Sequence, residues 1–282
     1  MLVKSENKND ISRISGKIIL KSNRKEMLMS KLFYHTISDN QWEIIEPHLP
    51  KPKSTGRPAL NSRIVFNAIF WVLDSGAKWR YLPEEFGNWN SIYHKFRSWC
   101  NEGVFENILQ SLVEDCRKYY LVEMDSTFCK VHQHAAGARK ILGNQNIGVS
   151  RGGKTTKIHA LVNEHFQLIG VDLTGGEIHD SKVAIKLLSK ITLEGKKVLA
   201  DKAFCSDEIR EYIDAQNAVA CIPDKSNAVN LHDFDKELYK ARNIVERFFQ
   251  RIKTFRHIAT RYDKLSDCFL NFVFLASVMI QI

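Results

Sequence analysis

The hydrophobic period of this 282-residue chain changes at Tyr120. Upstream of it, apolar residues recur every three or four positions, the spacing of helices that bury one face. Ser38-Asp-Asn-Gln41 is a capping box that opens a short helix carrying Trp42, Ile44 and Ile45 and stopping near Pro47 and Pro50. Residues 51–58 form a basic loop marked by proline and glycine. Asn61 caps an apolar helix through Ile64, Val65, Ala68, Ile69, Trp71 and Val72 that ends by Gly76. Asn88 or Asn90 caps the next, which bears Tyr93, His94, Lys95, Phe96, Arg97 and Trp99. Gly103 ends it, and a further helix runs from Val104 to about Tyr119. Residues 31–119 are thus expected to be a small all-α domain, and a DNA-binding one where Lys95 and Arg97 lie on a recognition helix. Trp71, Trp79, Trp89 and Trp99 are assigned to its core. Lys95 and Arg97 are assigned to the exposed side of a recognition helix in a helix-turn-helix-like unit, with a plain solvated face as the alternative.

Downstream of Tyr120, short apolar runs alternate with helical patterns. Residues 121–125 read as a strand ending in the carboxylate of Asp125, and residues 157–162 and 166–173 as a hairpin. A helix follows over residues 180–190, then a strand over 197–201 ending in Asp201. Ser206 caps a helix to Ala215, and residues 219–222 form a last strand. This order predicts an α/β domain with a mixed sheet and flanking helices over residues 120–282.

Residues 238–255 are expected to be one amphipathic helix. At roughly 100° per residue, Ile244, Val245, Phe248, Phe249, Ile252 and Phe255 fall within about 140°, while Tyr239, Arg242, Glu246 and Lys253 share a separate arc of about 60°. The plain interpretation is a solvated seam in which Arg242 and Glu246 make an i,i+4 ion pair worth a few tenths of a kcal/mol.

The net charge of +9 favours a polyanionic partner, although basic balance alone also fits ribosomal or membrane-surface proteins. Six cysteines without a C-x-x-C pair argue against a zinc ribbon or a disulfide framework and for a reducing cytoplasm. The apolar tail from Cys268 to Ile282 is too short for a comfortable span and is expected to be a buried helix, so no membrane partner is expected. Residues 1–30 read as a disordered basic arm, or as an upstream extension of a chain that starts at Met27 or Met29.

Two aspartates at strand ends and a glutamate on a helix are the residue types that hold divalent metal ions for phosphodiester chemistry. Mg²⁺ prefers carboxylate oxygen, and a pair of ions can serve both the attacking and the leaving oxygen. Acidic residues also cap strands without any such role. Gly148-Val-Ser-Arg-Gly-Gly-Lys-Thr155 satisfies the P-loop spelling G-x-x-x-x-G-K-S/T, but polar turn residues precede it where a buried strand is needed, so no nucleotide cofactor is expected. The preferred assignment is a loop in which Arg151 and Lys154 contact DNA phosphate, against an ordinary surface turn. His132 and His134 have no third ligand nearby and are read as structural.

Several motifs together resemble the DDE transposases of bacterial insertion sequences, in the "insertion-sequence five" branch. Tyr239, Arg242, Glu246 and Lys253 match that family's Tyr-x-x-Arg-x-x-x-Glu-x-x-x-x-x-x-Lys signature. Met124-Asp-Ser-Thr127, Val131-His-Gln-His-Ala135, residues 148–153, Thr156-Lys-Ile-His-Ala-Leu161, Leu173-Thr-Gly-Gly176 and Ala200-Asp-Lys-Ala203 resemble its other motifs. Ile37-Ser-Asp-Asn-Gln-Trp42 and the Gly-Arg-Pro at 56–58 resemble its leading domain. One departure stands beside the second aspartate: Phe204 and Cys205 occupy positions where the family usually has Tyr and Asp.

The resemblance implies an RNase H-like catalytic domain with Asp125, Asp201 and Glu246 as catalytic residues and metal ligands for two Mg²⁺ ions, with Mn²⁺ as a substitute. It implies nicking at transposon ends and joining of the freed 3′-hydroxyl to target DNA. Tyr239, Arg242 and Lys253 would then contact DNA, or else hold Glu246 in place. Terminal inverted repeats and target DNA are the implied partners, with a homodimer in the DNA complex and a bacterial cytoplasm as the setting. The stretch between Asp201 and Glu246 leaves no room for the large all-β insertion some relatives carry. The competing reading is a DNA-binding protein that recognises terminal repeats but does not cut.

Overall fold

The computed structural model describes residues 36–51, 59–114, 119–138, 143–226, 232–240 and 242–282. The basic arm of residues 1–30 and the Gly-Arg-Pro at 56–58 lie outside them. Helix α1 (Asp39–Ile45) begins at a complete capping box: Gln41 N–H donates to Ser38 Oγ at 3.2 Å and Ser38 N–H to Gln41 Oε1 at 2.9 Å. In α2 (Ser62–Ser75) the side chain of Asn61 accepts from Ile64 N–H, and Gly76 closes the helix at φ +66°. A Cβ on Gly76 would also come within 2.9 Å of the Arg256 side chain, so glycine serves both the left-handed turn and a close packing contact. Asn88 caps α3 (Trp89–Asn101), and α4 (Val104–Glu114) follows.

The sheet is built on β1 (Leu121–Val131), β2 (Gly148–Ser150), β3 (Gly153–Asn163), β4 (Leu168–Gly175), β5 (Lys197–Ala200), β6 (Val219–Cys221) and β7 (Thr260–Arg261). β1 pairs antiparallel with β3, and β3 with β4; β5 and β6 add in parallel on the other side of β1. Three antiparallel strands followed by two parallel ones is the RNase H-like sheet the resemblance implied. Helices α5 (Ser181–Leu188) and α6 (Asp207–Ala215) cover one face, over a core that includes Val122, Met124, Ala200, Leu187 and Ile213. The other face packs against α7 (Lys236–Lys240), α8 (Ile244–Ile252), α9 (Arg256–Ala259) and α10 (Ser266–Met279).

The change of period at Tyr120 is a change of secondary structure, but the core runs straight through it. Phe96 of α3 stacks on Phe272 of α10 at 4.7 Å between centroids, and Trp79 lies 6.2 Å from the same Phe272. Trp99 is fully buried, and Trp71, Trp79 and Trp89 pack against this shared core. The tail helix α10 is apolar on all sides and internal, as expected. Its polar side chains donate locally, Asn271 to Asp267 O and Ser277 to Val273 O, while Asn271 Oδ1 is buried without a partner. Among the described residues no helix is long and apolar enough to cross a membrane.

Three sequence-based expectations need correction. The first strand does not end at Asp125. Its ladder with β3 continues to Lys130, because exposed Phe128 and Lys130 alternate with buried Cys129 across a sheet covered on one face there. The stretch read as a surface loop is a β-hairpin, with Ser150 paired to Gly153 across a two-residue turn of Arg151 and Gly152, and a strand rather than a helix follows the P-loop spelling. The helix over residues 238–255 is interrupted: Asn243, at φ −143° and ψ 1°, separates α7 from α8. The break is stabilised from outside the segment, by a carboxylate on β1 described next.

Candidate active site

Parallel pairing of β1 with β5 puts Met124 opposite Ala200, so Asp125 and Asp201 follow as neighbours on adjacent chains. Adjacent strands lie about 4.8 Å apart. Asp125 Oδ1 accepts from Ser126 N–H at 2.7 Å. Asp201 leaves the strand and caps a 3₁₀ turn over Lys202–Phe204, accepting from Ala203 N–H at 2.8 Å, which fixes its direction.

The third carboxylate arrives through Glu123, which periodicity and motif spacing did not single out. Glu123 is fully buried, two residues before Asp125 and therefore on the same face of β1. Its Oε2 accepts the backbone N–H of Val245 at 2.9 Å, and the neighbouring N–H of Ile244 also favours the ionised carboxylate. These are first-turn amides of α8, otherwise left without partners where a helix starts. Glu123 thus holds the start of α8, and delivers Glu246, the residue after Val245, to the Asp125 side of the sheet. Burial pushes the Glu123 carboxyl up in pKa, and the two backbone donors pull the other way. The available signal was a lone acid inside the apolar run Leu121-Val-Glu-Met124.

The three acids sense one another. Burial pushes Asp125 up to about 6; the amide of Ser126 opposes this, repulsion from Asp201 adds to it, and Arg242 and Glu246 act with opposite signs. Arg242 is the cation inserted among them, its Nη2 3.0 Å from Glu246 Oε1. The i,i+4 ion pair survives the helix break. Tyr239 belongs to the same cluster: the Arg242 guanidinium lies 5.6 Å from its ring centroid, and burial raises its hydroxyl pKa, with Arg242 opposing and both aspartates adding. Lys253 closes the C-terminal end of α8 and donates to Thr127 Oγ1 at 2.5 Å and Phe128 O at 2.9 Å, so its ammonium is tied to β1. Burial lowers its pKa.

The other candidate DNA contacts stand apart from this cluster. Arg151 lies in the β2–β3 turn and Lys154 on the exposed start of β3, beside the Lys130 end of β1. That end is five residues from Asp125, roughly 17 Å at the rise of a strand. Lys95, expected on an exposed helix face, is half-buried on α3 with its ammonium 5.6 Å over the Trp99 ring. Arg97 instead donates to Cys268 Sγ at 2.6 Å and lies 4.0 Å from Asp267, against α10. His132 accepts from His134 N–H as a local cap.

At the departure from the family pattern, Phe204 is buried in the second core, where a hydroxyl would need a partner. Cys205 Sγ lies 3.5 Å from Asp224, whose carboxylate is also bound by Arg210 and His232. A carboxylate therefore stands beside position 205 after all, supplied from elsewhere in the chain.

The donor set is all carboxylate oxygen, the chemistry that suits a hard divalent cation. Among the described residues no three His, Cys, Asp or Glu side chains stand in a ready-made metal arrangement. Arg242 engages one oxygen of Glu246, Oε1, and would compete with a metal ion for that oxygen.

Two family profiles cover the chain. One, described as a putative transposase of the IS4/5 family, matches residues 37–109, and the other, described as a transposase DDE domain, matches residues 117–280. A putative transposase for insertion sequence element IS6501 from Brucella ovis is 37% identical over 128 residues, which are 45% of this chain and 97% of that protein. The uncharacterized protein y4sN from Sinorhizobium fredii is 34% identical over 110 residues, 39% of this chain and 87% of its own length. A chain from a pre-cleavage Mos1 transpososome matches 82% of each chain at 10% identity with a TM-score of 0.28.

Proposed function

The chain belongs to the transposase DDE domain family and is a DNA transposase, and we propose that Asp125, Asp201 and Glu246 are the acids with which it cuts and joins DNA. The proposed reaction is hydrolytic nicking at the ends of an insertion element, then attack of the freed 3′-hydroxyl on a target strand. The supporting observation is the β1–β5 register that sets Asp125 beside Asp201, with Glu246 next to the amide held by Glu123. Divalent cations, Mg²⁺ with Mn²⁺ as substitute and two in number, would supply activation of the attacking oxygen and neutralisation of the leaving one.

The chain's own residues set the stage for that chemistry. Asp201 is aimed by Ala203, and Asp125 by Ser126. Arg242 holds the neighbouring negative charges together and, once Glu246 is released, presents a guanidinium to DNA phosphate. Tyr239 offers a ring at the rim of the site for stacking. Lys253 acts first as a tie to β1, and Arg151, Lys154 and Lys95 are proposed as outlying phosphate contacts. The working assembly is proposed to be a homodimer on paired terminal inverted repeats, in the reducing bacterial cytoplasm that unpaired cysteines suit.

Replacing Asp125→Asn, Asp201→Asn or Glu246→Gln is expected to abolish nicking of a terminal-repeat duplex in Mg²⁺ or Mn²⁺ while sparing binding. Wild-type protein that binds that duplex but never nicks it would establish the competing reading, a DNA-binding protein that does not cut.

A further inference from the structure

The outer face of α8 continues past Glu246. On that helix Gln250, Arg247 and Arg251 follow Glu246 at about 40°, 100° and 140° of rotation, and all three are exposed. Arg247, Gln250 and Arg251 form one wall of a cleft of about 580 Å³. His165 and Phe166 of the β3–β4 turn and the Gln281 side chain are among the residues that form the rest. Among the described residues no Asp or Glu lines this cleft, and neither arginine makes an ion pair there. Arg251 lies 5.4 Å over the Phe166 ring, which steadies its guanidinium beside the opening. The amide oxygen and nitrogen of Gln281 are both sheltered from solvent and without partners, an unused donor and acceptor in the wall.

We infer that this cleft binds the phosphodiester backbone of a DNA strand that runs on from the site of cutting. Planar guanidinium groups with free donors match phosphate oxygens. The inference rests on the placement of Glu246 in the active site. Arg251 is five residues beyond it, roughly 7.5 Å along the helix axis. Its rotation of about 140° turns it to a different face of α8 from Glu246, so a strand reaches the cleft by passing around the helix, several nucleotides from the scissile phosphate. There it meets the backbone rather than the bases.

The test measures binding of the full chain to a terminal-repeat duplex and to an unrelated duplex of equal length, in EDTA, over a range of salt. The double variant Arg247→Gln with Arg251→Gln is expected to weaken both complexes equally. Its slope of log K against log salt should be shallower by roughly 1.8, since each lost phosphate contact removes about 0.9. The charge-preserving pair Arg247→Lys with Arg251→Lys should keep the wild-type slope. Unchanged slope and affinity in the Gln pair would overturn the inference, as would a loss confined to the terminal-repeat duplex. A slope lost equally in the Lys pair would also overturn it, by pointing to packing. Nicking is scored separately: wild-type protein that does not cut unseats the proposed reaction and leaves the slope measurement to decide the cleft.

Discussion

The carboxylate of Glu123 accepts the backbone N–H of Val245 at 2.9 Å, joining the strand that carries Asp125 to the helix that carries Glu246. The bond is fully buried and links positions far apart in sequence. It does two jobs: it starts a helix, and it sets the distance between two of the three acids.

Truncating Glu123 to Ala should therefore cost about 1–3 kcal/mol, the range for leaving buried donors unsatisfied. The nicking rate should fall about 10- to 100-fold, as when a residue orienting a ligand is lost. DNA affinity should be nearly unchanged. Glu123→Gln keeps one acceptor oxygen and should recover much of both losses. Denaturant unfolding, nicking and amide exchange at Ile244 and Val245 read these out. Equal exchange in wild type and Glu123→Ala would show that the carboxylate does not hold the helix.

A second expectation concerns acid. His159 is buried; one ring nitrogen lies 2.8 Å from Thr174 Oγ1, and the other faces Asp180 at 3.6 Å. Burial lowers its pKa to about 4, against attraction from Asp180 and Asp172 and together with repulsion from Lys157. Lys157 already occupies Asp180, at 2.9 Å. Between pH 6.5 and about 4 the unfolded chain binds a proton at this residue that the folded chain refuses. Stability from this group is thus present at neutral pH and lost as pH falls through that window. Moving from pH 7 to 5 should lower the melting temperature of wild type more than that of His159→Gln, measured by thermal unfolding. Equal drops would show that His159 does not contribute.

The shared core gives a third. Phe272 of α10 meets Phe96 and Trp79 of the helical stretch, so the two halves defined by the change at Tyr120 are packed through one aromatic cluster. Phe272→Ala should cost about 3–5 kcal/mol and lower a single unfolding transition spanning both halves. Calorimetry that resolves two transitions, only one of them shifted, would contradict a common core.

Local chemistry made much of this fold legible in the sequence. Ser38, Asn61, Asn88 and Ser206 cap the helices they were assigned to, because a cap is settled within a few residues of itself. The hairpin of β3 and β4 and the strand before Asp201 were legible for the same reason. What escaped depends on distant partners. Nothing near Asn243 announces that a helix must restart there, since the acceptor is Glu123 on another element. The extension of β1 through polar Ser126 and Thr127 depends on β3, and β7 is only two residues long. In the site, the signature residues Tyr239, Arg242, Glu246 and Lys253 were visible by spacing, but their division of labour was not. Only the folded chain shows Arg242 paired with Glu246 and Lys253 tied to Thr127.

That Arg242–Glu246 pair leads to the last expectation. Glu246 keeps 49% of its side chain exposed and Arg242 18%, so the ion pair itself stabilises the metal-free fold by at most about 1 kcal/mol. Its larger effect is to hold a cation among acids that repel one another. A divalent ion entering the cluster would compete with that cation for Glu246 Oε1. Arg242→Gln should therefore melt slightly lower than wild type in EDTA, yet gain more on addition of Mn²⁺, because a ligand that binds only the folded state stabilises it by RT ln(1 + L/Kd) at free ion concentration L, an amount that grows as affinity rises. Chelation should return both proteins to their starting values. If Mn²⁺ shifts the two melting temperatures equally, Arg242 does not compete for the carboxylate. If it shifts neither, while Asp125→Asn behaves like wild type, these acids are not where the metal binds.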